Sequence, residues 1–264
     1  MPTFKIVLAY DGTDFSGWQR QINGPSVQAL LEDALRTLDE RDVTVHGAGR
    51  TDAGVHALGQ VASFSLARDL PADVVRRALN AQLPGAVRVL SAEDAPDGFH
   101  ARFSARGKTY RYRIWNADFL DPFERRQAWH VFGALDVAAM QEAAGLIVGS
   151  HDFAAFQAAG SDVKTTVRNV TTSTLRIGDW GMRIGEEGGL ESALRSPQSA
   201  LVIYEVTGDG FLRHMVRTIV GTLVEIGRGR RPVDWMAEVI ASRDRAAAGQ
   251  TAPAGGLFLV AVHY

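Results

Sequence analysis

Apolar positions in the first hundred residues follow two rhythms that take turns. Phe4 to Tyr10 is an apolar, β-prone run, and Asp11-Gly12 turns the chain. After Ser26, the residues Val27, Leu30, Leu31, Ala34, Leu35 and Leu38 recur at helical spacing, which predicts about three turns of helix capped by Ser26. Val43 to His46 predicts a short strand. A longer one runs from Ala57 to Leu66, alternating between Val61 and Leu66. Leu70-Pro71-Ala72-Asp73 opens a second helix with Val74, Val75, Ala78 and Leu79 on its apolar side, and Ala86 to Leu90 returns as a strand. The order β-α-β-β-α-β is the split pattern of a ferredoxin-like unit.

The second half repeats the pattern without repeating the residues. Thr109 to Trp115 alternates Tyr110, Tyr112 and Ile114 with Arg111 and Arg113. Val137, Met140, Ala144, Ile147 and Val148 predict a helix ending at Gly149. Thr166 to Ile177 and Ala200 to Val206 predict strands, Leu212 to Ile226 and Val233 to Ile240 helices, and Leu257 to Val262 a closing strand. The expected fold is therefore α+β, with two ferredoxin-like halves, residues 1–104 and 105–264. Their strands would form a mixed, mostly antiparallel central sheet with helices on one face. Residues 178–199, rich in Gly, Glu and Ser, read as an insertion or hairpin tip, and Arg243 to Gly256 as a further loop.

Composition narrows the chemistry. The chain has no cysteine, which excludes disulfides and thiolate metal sites. Its N-terminus lacks signal-peptide architecture, and no apolar run is long enough to span a bilayer, so a cytoplasmic location is expected. Net charge is −2, from 28 Lys plus Arg against 30 Asp plus Glu, which argues against indiscriminate nucleic-acid binding. The charge is uneven, however. From His100 to His130 seven basic residues face three acids, whereas Glu32 to Asp42 holds five acids and two arginines. Either stretch is also compatible with an ordinary solvated face.

The stretch Gly47-Ala48-Gly49-Arg50-Thr51-Asp52-Ala53-Gly54-Val55-His56-Ala57 carries the strongest chemical signal. Glycines let backbone approach a ligand, Arg50 can grip a phosphate or carboxylate with two prongs, and Asp52 supplies a carboxylate. The loop is not a dinucleotide fingerprint, because Asp52 stands where the third glycine belongs and a strand follows in place of a helix. It lacks the Gly-Lys-Ser/Thr of a P-loop as well. Gly, Asp and Thr are also ordinary turn residues, so the loop alone leaves a purely structural turn open. None of the seven histidines has close metal-ligand spacing; His56 and His214 stay open because of the segments they occupy.

Several segments together resemble the tRNA pseudouridine synthase A family. They are Tyr10-Asp11-Gly12-Thr13 with Phe15-Ser16-Gly17-Trp18-Gln19, Ser26-Val27-Gln28, the Gly49 to Ala57 loop, and Phe99-His100-Ala101-Arg102-Phe103-Ser104-Ala105. Further along come Tyr110-Arg111-Tyr112, His151-Asp152-Phe153, Phe211 to Arg217, and Ala252-Pro253 with Gly256-Leu257. The resemblance implies an isomerase converting uridine to pseudouridine at positions 38, 39 and/or 40 of the tRNA anticodon stem-loop. It implies Asp52 as the catalytic carboxylate, Tyr110 packed on the target base and Arg217 paired with the aspartate. It further implies two ferredoxin-like halves around a central cleft, a homodimer, no membrane association, and neither metal nor other cofactor. The 178–199 segment is longer than the family pattern leads one to expect.

The residues are consistent with that chemistry. The isomerisation breaks N1–C1′, joins C5 to C1′ and is redox-neutral. A fixed carboxylate can trap the sugar at C1′ or remove the 2′ proton to give a glycal, and the sequence leaves both routes open. A stacked uridine must be flipped out to react, which favours an aromatic to receive it. Tyr110 is the candidate, although periodicity alone favours a core aromatic at its place on an alternating strand. Arg50, Arg102, Arg106, Arg111 and Arg126 are candidate phosphate contacts. Trp18 can border the site or fill the core. Competing readings are a non-catalytic RNA-binding module, which has no use for a carboxylate beside phosphates, and a glycosidase, which ordinarily needs two carboxylates.

Overall fold

The elements follow the chain as β1 (Thr3–Tyr10), α1 (Val27–Asp39), β2 (His46–Gly47), β3 (His56–Ser65), α2 (Ala72–Gln82), β4 (Val87–Asp94), β5 (Gly107–Trp115), β6 (Trp129–His130), α3 (Val137–Gly145), β7 (Gly149–Asp152), β8 (Val167–Gly178), β9 (Leu201–Gly208), α4 (Met215–Gly227), α5 (Trp235–Ser242) and β10 (Leu257–His263). The computed structural model describes residues 1–22, 24–158, 160, 163–178 and 201–264. The expected insertion at 178–199 therefore lies, apart from Gly178, outside the described residues. The chain forms two units, Met1–Tyr110 with Leu257–Tyr264, and Arg111–Gly256. The fold is α+β, and its strand pairings are mostly antiparallel with parallel exceptions.

In the first unit β1 lies antiparallel between β4 and β3. Its alternate residues Phe4, Ile6, Leu8 and Tyr10 are buried, each apolar one contributing roughly 1.5–3 kcal/mol of transfer free energy. The other side of β3 is shared. β10 runs parallel beside its start, with Phe258 opposite His56 and Leu259 opposite Ala57, and β2 runs antiparallel beside its end, with His46 opposite Ser63. The expected βαββαβ order is present, with its second strand reduced to two residues. The helix after Ser26 forms as expected, the Ser26 hydroxyl accepting from Ala29 N.

In the second unit the strand order is β5-β9-β8-β7, with β6 parallel to the end of β5. The alternation expected of β5 is observed, with Tyr112 and Ile114 buried while Arg111 and Arg113 are only partly so. Tyr204, Phe153, Phe156, Ile219 and Leu223 are fully buried. The Tyr204 hydroxyl is paired with Ser173 Oγ at 3.0 Å, which satisfies a polar group that burial would otherwise penalise.

Several expected boundaries shift, each for a local reason. Val43–Val45 is not strand. Val45 O accepts from Gln28 Nε2 (3.0 Å) and Val45 N donates to Glu32 Oε1 (3.3 Å), so side chains of α1 take the bonds a ladder would need. Val61 to Leu66 does not alternate in burial, because β3 is covered on both faces. Pro71 caps α2 from outside its first turn. α3 stops at Gly145, and Gly149, at φ +109°, opens β7, a strand that the hydrophobic pattern does not predict. α4 begins at Met215, because His214 is held at φ +63°. α5 is displaced two residues onward by the turn in which Trp235 N donates to Pro232 O.

Candidate active site

The Gly47–Ala57 loop joins β2 to β3 and is held by the segment that follows β1. Trp18 N donates to Thr51 O at 3.0 Å, and Gly54 N to Phe15 O at 3.3 Å. Two glycines permit this approach. Gly17 sits at φ +105°, and a Cβ there would stand 2.6 Å from Thr51 O. A Cβ on Gly12 would stand 2.0 Å from Val55 O. Gly47 in turn lies against the Trp18 indole, at 2.4 Å from a hypothetical Cβ. Trp18 is thus a core residue, 2% exposed, and sets the base of the loop. Within the loop, Val55 N donates to Asp52 O at 3.1 Å and Gly54 adopts φ +76°, a tight turn that leaves Asp52 half-buried.

Beneath the loop lies a buried polar chain that sequence reasoning misses. The Tyr10 hydroxyl pairs with Thr51 Oγ1 at 2.8 Å, and Gln60 Nε2 reaches both the Tyr10 oxygen (3.4 Å) and Gly49 O (2.9 Å). Gln60 is fully buried. A glutamine between apolar and small residues of β3 is the available signal, since a buried polar group is informative where an exposed apolar one is not. Burial pushes the Tyr10 phenol up to about 12, and its hydrogen bonds to Thr51 and Gln60 only partly oppose this. Tyr10 therefore stays a neutral hydrogen-bonding group.

Tyr110 belongs to the same unit and is 8% exposed. Its phenol is pushed well above the ordinary tyrosine value, by burial first and then by the negative charge it would share with Tyr10 and Asp52. The structure thus brings Tyr110 into electrostatic range of Asp52. Arg50 is exposed on the loop. His56 is buried, its Nδ1 accepting from Gly12 N at 3.0 Å and standing 3.1 Å from Asp11 Oδ1, with its ring stacked on Phe258 at 4.6 Å. It fastens the Asp11-Gly12 turn to the start of β3.

In the second unit Arg217 lies on α4. Its Nε donates to Ala252 O at 2.7 Å, and its own backbone oxygen accepts from Ala252 N at 3.1 Å. The Tyr112 hydroxyl donates to Pro253 O at 2.7 Å, and its ring lies against Gly256. Burial pushes the Tyr112 phenol far up, opposed by the nearby Arg217 charge. Tyr112, Arg217, Ala252 and Pro253 thus form one cluster. Of the five arginines read as phosphate contacts, Arg50, Arg102, Arg106 and Arg126 are exposed. Arg111 instead gives Nε and Nη2 to Glu205 Oε2 (3.0 and 2.9 Å), which counts against it as a phosphate contact. Among the described residues no group of three His, Asp or Glu is placed to hold a metal.

The profile of a family described as tRNA pseudouridine synthase matches residues 6–104 and 143–264. The chain belongs to the tRNA pseudouridine synthase family. Curated relatives named tRNA pseudouridine synthase A agree along the full length. The protein from Rhodospirillum centenum is 46% identical over 265 residues, covering 100% of both chains. That from Myxococcus xanthus is 44% identical over 264 residues, covering 100% of this chain and 92% of the relative. That from Acetivibrio thermocellus is 42% identical over 264 residues, with 100% of both chains covered. The synthase profile includes the Asp52 loop and Arg217, whereas Tyr110 and Tyr112 fall in the stretch between its two matched segments. As a member of this family, the chain is an isomerase that acts on tRNA.

Proposed function

We propose that the chain isomerises uridine to pseudouridine at positions 38, 39 and/or 40 of the tRNA anticodon stem-loop, with Asp52 as the catalytic carboxylate. The observation that carries this reading is the pairing of a half-buried Asp52, on a loop fixed by glycine-dependent contacts, with a Tyr110 phenol close enough to feel its charge. As N1–C1′ breaks, its electron pair leaves with the uracil, and the Asp52 carboxylate either bonds C1′ and is displaced when C5 attacks, or takes the 2′ proton and later returns it. Uracil turns, C5 bonds to C1′, the C5 proton departs and N1 takes up a proton. Atoms and charge balance without a redox partner. Tyr110 stacks on the flipped base, a contact worth about 1–3 kcal/mol. Arg217 is the cation the family pattern assigns to Asp52, and Arg50 serves the backbone phosphates. Homodimeric, cytoplasmic operation belongs to the same proposal.

The test is tritium release from tRNA labelled at uridine C5, with mapping of the modified positions. The wild type is expected to release tritium, and Asp52→Asn to release none while holding tRNA within a few-fold of the wild-type affinity. Substantial turnover by that variant would remove Asp52 from the reaction.

A further inference from the structure

Outside the Asp52 loop, the first unit carries a stack of aromatic and cationic side chains on its surface. The His46 and His100 rings lie 4.6 Å apart at 33°, and the His100 and Phe103 rings 4.4 Å apart at 33°. The Arg102 guanidinium sits over Phe103 at 5.8 Å from the ring centre. Phe103 is 77% exposed, and Arg102 is exposed as well. A cavity of about 460 Å³ opens beside the ladder, bordered by His46, His100, Phe99 and Arg41. The first rung belongs to β2, the strand that leads directly into the Asp52 loop.

The backbone beneath the ladder is tightly closed. Ala101 N donates to Ser63 Oγ (3.0 Å), and Ala101 O accepts from the Tyr264 hydroxyl (2.8 Å). Ser104 N donates to His100 O (2.9 Å), while Ser104 Oγ accepts from His100 N (3.1 Å). His100 Nδ1 accepts from Arg102 N at 3.1 Å, which fixes the ring in line with its neighbours. Single exposed apolar residues are common. A phenylalanine left open to water on a rigid turn, with a cation on it and two imidazoles behind it, is a preorganised π surface. Every nucleobase has a face that such a surface can stack on, and Arg102 and nearby Arg106 complement the charge of the adjoining phosphates.

We infer that the His46–His100–Phe103–Arg102 ladder is a docking surface for tRNA that stacks a nucleotide other than the uridine being isomerised. The inference rests on the tRNA reading above but concerns a different part of the surface. It positions RNA and touches no reacting atom.

The experiment compares Phe103→Ala, Phe103→Trp and wild type for tRNA affinity at several salt concentrations, for kcat and KM, and for sedimentation. Because Phe103 is exposed, neither substitution disturbs the core. Phe103→Ala is expected to weaken tRNA binding and raise KM by about 5-fold or more with kcat held. The steepness of the salt dependence should stay the same, since no charge is removed, and Phe103→Trp should restore affinity. Phe103→Ala binding tRNA as the wild type does overturns the inference. So does a change of oligomeric state in place of affinity, which would make the ladder a surface between copies of the chain. A wild type that binds tRNA but leaves its uridines unchanged overturns the proposed activity, and the ladder is then decided by the binding comparison alone. A wild type that does not hold tRNA overturns both.

Discussion

At the scale of single residues, the loop that carries Asp52, the proposed catalytic carboxylate, is held from below by buried polar groups. Thr51 is tied to Tyr10, Tyr10 to Gln60, and Gln60 back to Gly49, so both flanks of Arg50 are fixed from below. Removing one hydroxyl from that chain should misplace Asp52 without unfolding the protein. Tyr10→Phe is expected to cost about 1 kcal/mol of stability in denaturant titration and to lower kcat while leaving KM near the wild-type value. An unchanged kcat would detach the polar chain from catalysis. Asp52 and Arg50 stand out in the sequence as charged residues among glycines, which is why they carry the proposal. Tyr10 and Gln60 do not, because their roles depend on a partner 41 or 50 positions away. Arg111 shows the same limit: its charge is visible in the sequence, but its ion-pair partner Glu205 is not.

At the scale of elements, helices and long strands follow from periodicity, and the errors gather where side chains displace backbone pairing. Val43–Val45 has strand composition, yet Gln28 and Glu32 occupy the Val45 backbone. His214 carries no sequence mark of its left-handed conformation, so α4 starts later than its apolar pattern predicts. One junction between elements is electrostatic. The Asp39 carboxylate at the end of α1 accepts from Ala67 N and Arg68 N, both at 3.0 Å, and from Arg41 Nε at 2.5 Å. Burial alone would push its pKa up, but the two amides and Arg41 outweigh burial and hold it below the ordinary value. A carboxyl depressed in the folded state stabilises fully above its unfolded pKa and loses that contribution as pH falls through the folded value. Asp39→Ala should therefore cost roughly 2–4 kcal/mol at pH 7, and the gap to wild type should narrow below about pH 4. A gap that does not change with pH in thermal unfolding would contradict this origin.

At the scale of the whole molecule, a net charge of −2 conceals a local basic excess, and affinity for RNA should follow the local value. Arg102 and Arg126 are exposed and lie in the basic stretch from His100 to His130. Neutralising both should weaken tRNA binding and reduce the slope of log affinity against log salt by about one for each phosphate left without its arginine. An unchanged slope would take that stretch off the RNA surface. The order of the chain adds a constraint of a different kind. The strand whose Phe258 and Leu259 pair with His56 and Ala57, just past the Asp52 loop, is encoded after the whole of the second unit. A ribosome must release Leu257–His263 from its exit tunnel before β3 gains that neighbour. Nascent or prematurely terminated chains thus contain every residue of the loop without the strand that pairs beside it at His56 and Ala57.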